Sequence, residues 1–383
     1  MGLEIMAGLG AFGGGIAGYI VPFLFVLTIV VFFHELGHFL VARWCGVKVQ
    51  AFSIGFGPEI IGFNDRYGTR WKLSAIPLGG FVKFFGDDNA ASVPDREAAA
   101  EMSEEEKKVS FVHQPVPSRA AVVAAGPIAN FILAIVIFAA IFGTVGRQYT
   151  SARVDTVQPG SAAQAAGFQP GDLVLSIDGE KIDSFSDMQR IVSISAGDAL
   201  TVVVERGGRE VTLKATPQFR ELKDNFGNAH RLGVLGIRRT MQSGDVKTKT
   251  YGPLAAIGEG AKATWFIVDR TLTYIGGVFT GREAADQLGG PIRIAQVSGQ
   301  VATVGFVALM HLTAVLSVSI GLLNLFPIPL LDGGHLLFYG IEAARGRPLS
   351  ERSQEIGFRI GLAIVVMLMI FATFNDILHL ATS

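Results

Sequence analysis

His34 and His38 bracket Glu35 inside an apolar stretch, from about Tyr19 to Val41, whose only charged residue is that glutamate. On a helix, positions four apart share a face and lie about 6 Å apart along the axis, so both imidazoles can grip one cation. Glu35 then sits beside the metal, where a carboxylate serves as the base that activates a water. Two imidazoles and a carboxylate at the end of an apolar span are costly to bury without a partner, so the spacing reads as a metal site rather than as chance. It places hydrolytic chemistry where water is scarce.

A catalytic zinc takes three protein ligands and leaves the fourth position to water, so a third ligand must come from elsewhere in the chain. Asp332 is the best candidate, in Asn324-Leu325-Phe326-Pro327-Ile328-Pro329-Leu330-Leu331-Asp332-Gly333-Gly334-His335. A carboxylate at an apolar boundary needs a cation more urgently than a neutral imidazole does, which ranks Asp332 above its rival His335. Pro327 and Pro329 bar regular helix there. Irregular backbone at membrane depth is tolerated only where it is buried in protein or lines a watery cavity. His311 reads as a core or gating histidine, and His113, His230 and His379 as surface residues.

The chain has 383 residues, 50% of them hydrophobic and 17% charged, with a formal net charge of -1 and a mean hydropathy of +0.43. That composition points to a multi-pass membrane protein and away from nucleic acid, for which no basic stripe is present. The single cysteine, Cys45, reads as a packing thiol. No Lys or Arg precedes Tyr19, so the first apolar segment is expected to be retained rather than cleaved.

Four stretches can each cross a bilayer: about Tyr19 to Val41, Ala120 to Gly143, Gln300 to about Phe326, and a short one from about Gly357 to Phe374. Basic residues gather after the first (Arg43, Lys48, Arg66, Arg70, Lys72, Lys83) and before the fourth (Arg345, Arg347, Arg352). Those two loops are expected in the cytoplasm, with both termini and the segment between spans two and three on the opposite side. Val47 to Phe85 contains β-type stretches broken by glycine and proline, a small sheet beside the catalytic helix. It suits either strand addition to an unfolded substrate or a structural plug. Gly86 to Ser118 reads as a solvated helical linker. Ser151 to about Pro217 alternates apolar and polar residues around a helical piece at Ser186 to Ile194, as a small module that captures chain ends by edge pairing does. Tyr251 to Phe279, with Glu259, Lys262, Asp269 and Arg270, reads as a helix lying at the membrane interface.

Together these motifs resemble the site-2 protease family of intramembrane zinc metalloproteases, most closely its bacterial regulator-of-sigma-E protease branch. His34 to His38 resembles the family's zinc signature, and Asn324 to Gly333 resembles its second, aspartate-bearing signature. Ala125-Gly126-Pro127-Ile128-Ala129-Asn130-Phe131 is similar to the element that opens its second span. Val157 to Ala163, Ala166-Gly167, Gly171-Asp172 and Asp178-Gly179 are similar to a bacterial PDZ domain. The resemblance implies that Asp332 completes a Zn2+ site with His34 and His38, and that Glu35 is catalytic. It further implies that Asn324, Pro327, Asn130, Gly79 and Gly80 contact the substrate, and that the Val47 to Phe85 sheet is membrane-reentrant.

The expected fold is an α-helical polytopic membrane protein of about four transmembrane helices, with a membrane-reentrant β element and one inserted α+β PDZ domain. Its segments are a first helix with the zinc motif (1-46), the sheet (47-85), a linker (86-118), a second span (119-147), the PDZ domain (148-220), a connector (221-298), a third span with the aspartate (299-340), and a loop and fourth span (341-383). The expected partners are single-pass membrane proteins, such as an anti-sigma factor or remnant signal peptides, and the bilayer of a bacterial inner membrane. The alternative is a catalytically silent, membrane-anchored PDZ binding module, which has no need of Glu35. A metal transporter would require polar groups spread through several spans, and the second and fourth are almost wholly apolar.

Overall fold

A computed structural model of the chain describes residues 15–86, 101–223, 229–239, 246–280 and 289–382. Part of the expected linker, 87–100, lies outside the described residues. The longer helices are α1 (Ala17–Trp44), α2 (Val116–Thr144), α3 (Phe185–Ile194), α4 (Pro253–Phe279), α5 (Pro291–Val304), α6 (Phe306–Asn324), α7 (Asp332–Arg345) and α8 (Glu351–Thr382). Among the described residues α1, α2, α6 and Arg352–Leu378 within α8 are long and apolar enough to cross a membrane. The fold is that of a polytopic α-helical membrane protein.

Two expectations change in detail. The uncharged run from Gln300 to Phe326 is not one helix: Gly305 has φ 133°, which only glycine adopts freely, and splits it into α5 and α6. The last apolar stretch is longer than its hydropathy suggested, because α8 begins at Glu351 and ends at Thr382.

By its internal packing the chain separates into two compact units, one made of residues up to Ala140, Leu254–Ile275 and from Leu288 on, the other centred on Ile141–Pro253. In the first, α1 is surrounded by α5, α6 and the sheet formed by Val49–Asn64 and Arg70–Phe84. Each of these strands bends and pairs more than once. Ala51–Ile54 is flanked on one side by Gly80–Lys83 and on the other by Arg70–Leu73, which pairs in turn with Ile61–Asn64. The sheet is riveted to the end of α1 by aromatic packing: Phe52 stacks on Trp71 at 4.3 Å and Phe39 meets both rings edge-on. Cys45 packs against this cluster. Ile60, Ile61 and Phe63 stay exposed at its far end, where they form an apolar patch.

The second unit is an α+β module. A four-stranded antiparallel sheet (Glu180–Lys181, Leu173–Ile177, Leu200–Arg206, Arg209–Ala215 in spatial order) and α3 enclose Val154, Val174, Ile177, Val202 and Val204. Ser184 caps α3, its hydroxyl accepting from the Asp187 amide. Paired strands continue past the point where the alternation in the sequence fades, at Gln218–Lys223 with Ala229–Val234 and at Val246–Lys249 with Arg147–Thr150.

Candidate metal centre

The last turns of α1 turn both histidines toward the same point, their Nε2 atoms 3.2 Å apart. Asp332, the first residue of α7, brings Oδ2 to 3.2 Å from His34 Nε2 and Oδ1 to 3.6 Å from His38 Nε2. Around a tetrahedral ion with bonds of about 2.0–2.1 Å, neighbouring ligand atoms stand about 3.3 Å apart. The three side chains therefore have the spacing of a ligand set. Asp332 Oδ2 is buried and, despite its distance from His34, makes no hydrogen bond. An orphaned carboxylate oxygen is costly, and a cation is what relieves it.

The backbone around Asp332 explains its sequence. α6 stops at Asn324, and the prolines at 327 and 329 keep the next residues out of helix. Leu330 sits at φ 87°, a strained conformation for a leucine, immediately before α7 begins. A Cβ on Gly333 would collide with the carbonyls of Leu325 and Phe326, and one on Gly334 with that of Ile328. Gly361 of α8 is wedged equally tightly against the Pro329 carbonyl. The ligand turn is thus clamped from both sides, and the carboxylate sits at a helix N-terminus that favours its charge.

Helix α2 closes the centre from behind. A Cβ on Gly126 would clash with the edge of the His38 ring, 2.6 Å from its Cε1, and stand 2.9 Å from His34 Cε1, so only glycine lets α2 approach. His38 Nδ1 donates to the Val122 carbonyl at 2.9 Å, which fixes the tautomer that leaves Nε2 free for a metal. Asn130 Nδ2 lies 3.3 Å from His34 Nδ1.

A cavity of about 290 Å3 opens in front, lined by His34, Glu35, His38, Gly79, Gly80, Asn324, Asp332, His335 and Tyr339 among others. Gly80 is so close to α1 that a Cβ there would stand 3.0 Å from Glu35 Cγ. On α7, Asp332, His335 and Tyr339 form one stripe facing this space, and a turn further Glu342 Oε1 accepts from Arg119 Nη2 at 2.6 Å. The Arg119 guanidinium also covers the Tyr339 ring at 4.8 Å.

The structure brings together His34, Glu35, His38, Asp332, Asn324, Gly79 and Gly80. Two of the expected substrate contacts lie elsewhere. Pro327 is exposed in the turn and does not line the cavity. Asn130 is wholly buried behind His34, because its turn of α2 faces the imidazoles and α6 rather than the cavity. Between the rival ligands, Asp332 reaches both histidines, whereas His335 lies against the Phe358 ring. His311 packs on Phe138. The Val122 carbonyl and the clearance at Gly126 were not expected. A backbone oxygen carries no sequence signal, and the glycine's role shows only once α2 is in place.

The profile of peptidase family M50 matches residues 22–368. A protein of Agrobacterium fabrum that carries the name "Putative zinc metalloprotease Atu1380" is 55% identical over 364 residues, 95% of this chain and 97% of that protein. A protein of Rhizobium meliloti with the corresponding name, "Putative zinc metalloprotease R01501", is 52% identical over 94% of this chain and 96% of its own length. The metalloprotease MmpA of Caulobacter vibrioides is 41% identical over 94% of this chain and 95% of its own. Among solved structures, the PDZ domain of HtrA3 bound to a phage-derived ligand aligns with 19% of this chain and 81% of its own, at 23% identity and a TM-score of 0.17.

Proposed function

This chain belongs to peptidase family M50 and is a site-2 type zinc metalloprotease; on that premise we propose that it hydrolyses peptide bonds within the transmembrane segments of other membrane proteins. His34, His38 and Asp332 hold the zinc, and Glu35 is the catalytic base. The observation that carries this reading is the convergence within 4.8 Å of ligand atoms from His34 and His38, on a helix long enough to span a bilayer, and from Asp332 of α7, beside Glu35. When bound, zinc supplies Lewis acidity at the scissile carbonyl and makes water acidic enough to deprotonate near neutral pH. Glu35 takes the proton of the attacking water and returns it to the leaving amine.

A helical substrate hides its peptide groups in internal hydrogen bonds and must unwind to be cut. Phe81–Phe84 lines the cavity in part and pairs with Val49–Ile54 on one side. Its other edge offers backbone partners that compensate the unwound segment by strand addition, with Gly79, Gly80 and Asn324 nearest to the cleaved bond. The basic residues in the loops after α1 and before α8 support a topology with the active site near the cytoplasmic face of a bacterial inner membrane and with both termini and the α+β module outside the cytoplasm. That module acts as a PDZ domain that screens substrates, such as an anti-sigma factor or remnant signal peptides.

The test is a purified comparison of the native chain with Glu35→Gln on a single-span substrate, zinc content measured in both. The variant should keep its zinc and lose cleavage. Full cleavage by Glu35→Gln would refute the base assignment.

A further inference from the structure

Both ligand imidazoles turn Nδ1 toward the same stripe of α2. Val122, Gly126 and Asn130 follow one another at intervals of four, so they share a helix face. Val122 presents a carbonyl to His38 Nδ1, Gly126 presents bare backbone against which both rings pack, and Asn130 presents its carboxamide to His34 Nδ1. A neutral imidazole that offers Nε2 to a metal carries its proton on Nδ1, and that proton needs an acceptor. For His38 the acceptor is in place. For His34 the facing atom is Asn130 Nδ2, a second donor, while Asn130 Oδ1 is buried without a partner.

A half-turn of the carboxamide exchanges two nearly isosteric groups. It brings Oδ1 to His34 Nδ1–H, removes the donor–donor contact and gives the orphaned acceptor its partner, leaving the amino group in the place the oxygen had. The rest of Asn130 is committed to packing: its backbone carbonyl accepts from Ser317 Oγ at 2.8 Å, and its Cβ abuts Gly321. Only the carboxamide is free for the imidazole.

We propose that Asn130 is a positioning residue that sets the tautomer and orientation of His34, so that α2 supplies the outer hydrogen bonds of both histidine ligands. This inference rests on the reading of His34, His38 and Asp332 as the zinc ligands. It assigns Asn130 to the metal, not to the substrate.

The experiment measures zinc affinity by chelator competition on the full chain in detergent, for the native protein and for Asn130→Ala, Asn130→Leu, Asn130→Asp, His38→Ala and Asp332→Ala. Loss of the acceptor that a ligand imidazole's second N–H needs costs about 10–100-fold in affinity, which is the expectation for Asn130→Ala and for the similarly branched Asn130→Leu. Asn130→Asp, which offers acceptor oxygens only, should retain native affinity and the native visible bands of the cobalt-substituted protein. A merely structural role predicts the reverse, because a buried charge is worse for packing than alanine. Affinity within about twofold of native for both Asn130→Ala and Asn130→Leu, or Asn130→Asp as weak as they are, overturns the proposal. If His38→Ala and Asp332→Ala also bind zinc as the native chain does, the ligand reading itself has failed. If those two lose zinc while Asn130→Ala keeps it, only the positioning role has.

Discussion

His34 Nε2 and His38 Nε2 face each other at 3.2 Å, with the two rings 83° apart. Two imidazole lone pairs do not hold that separation unless a cation or a proton lies between them. Stripping zinc should therefore lower the unfolding midpoint of the membrane unit, and restoring it should reverse the loss. With free zinc at a thousand times its dissociation constant the difference is about 4 kcal/mol. Thermal scans in detergent with and without chelator measure it, and identical midpoints would count against a metal at this position.

Gly126→Ala drives a methyl group against the edge of the His38 ring. His38 cannot retreat without giving up its bond to Val122, so the variant should fold, bind zinc at least about tenfold more weakly and lose most of its activity. Chelator competition reads the first effect and substrate cleavage the second. Native affinity in Gly126→Ala would mean that α2 can move aside.

The Arg119–Glu342 pair holds the start of α2 against the helix that begins with Asp332. Both side chains are mostly buried, so Arg119→Ala should cost about 2 kcal/mol and lower zinc occupancy through α7. The reversed pair, Arg119→Glu with Glu342→Arg, should recover part of both. No recovery in that double variant would show that the pairing contributes little beyond packing.

In the α+β module, Asp172 is buried and accepts from Arg206 Nε and Nη2, each at 2.7 Å, and from the Gln169 amide at 2.9 Å. Burial alone would raise its carboxyl, yet the Arg206 hydrogen bonds, then the Gln169 amide and the guanidinium charge, hold it below the usual carboxylate value. A carboxyl depressed on folding contributes stability that is present above its unfolded value of about 3.9 and is lost as pH falls through the folded one. The module should resist proteolysis at neutral pH and yield below about pH 4. Asp172→Asn should weaken it by about 2 kcal/mol at neutral pH and flatten that dependence, which limited proteolysis across pH would show.

The residues of the centre were legible because a four-residue spacing on a helix is a geometric statement, and because a carboxylate beside two prolines at an apolar boundary has few other uses. The β stretches of Val47 to Phe85 were legible from their composition. Their double pairing was not, since register depends on where the chain folds back. The break at Gly305 was hidden in an uninterrupted apolar run, where one glycine looks like any other. Asn130 is expected at the substrate only through the resemblance of its motif, and its burial behind His34 is not legible in the sequence, because it depends on which face α2 turns to the imidazoles.

Gly361 donates no side chain to the cavity, yet it sets the mechanical tolerance of the turn that aims Asp332, because α8 rests directly on Pro329. A single added methyl there would be transmitted through one carbonyl to the acid, far from any residue a chemist would choose to alter. Graded substitutions at this remote contact are thus a way to tune down turnover while every reactive group stays untouched.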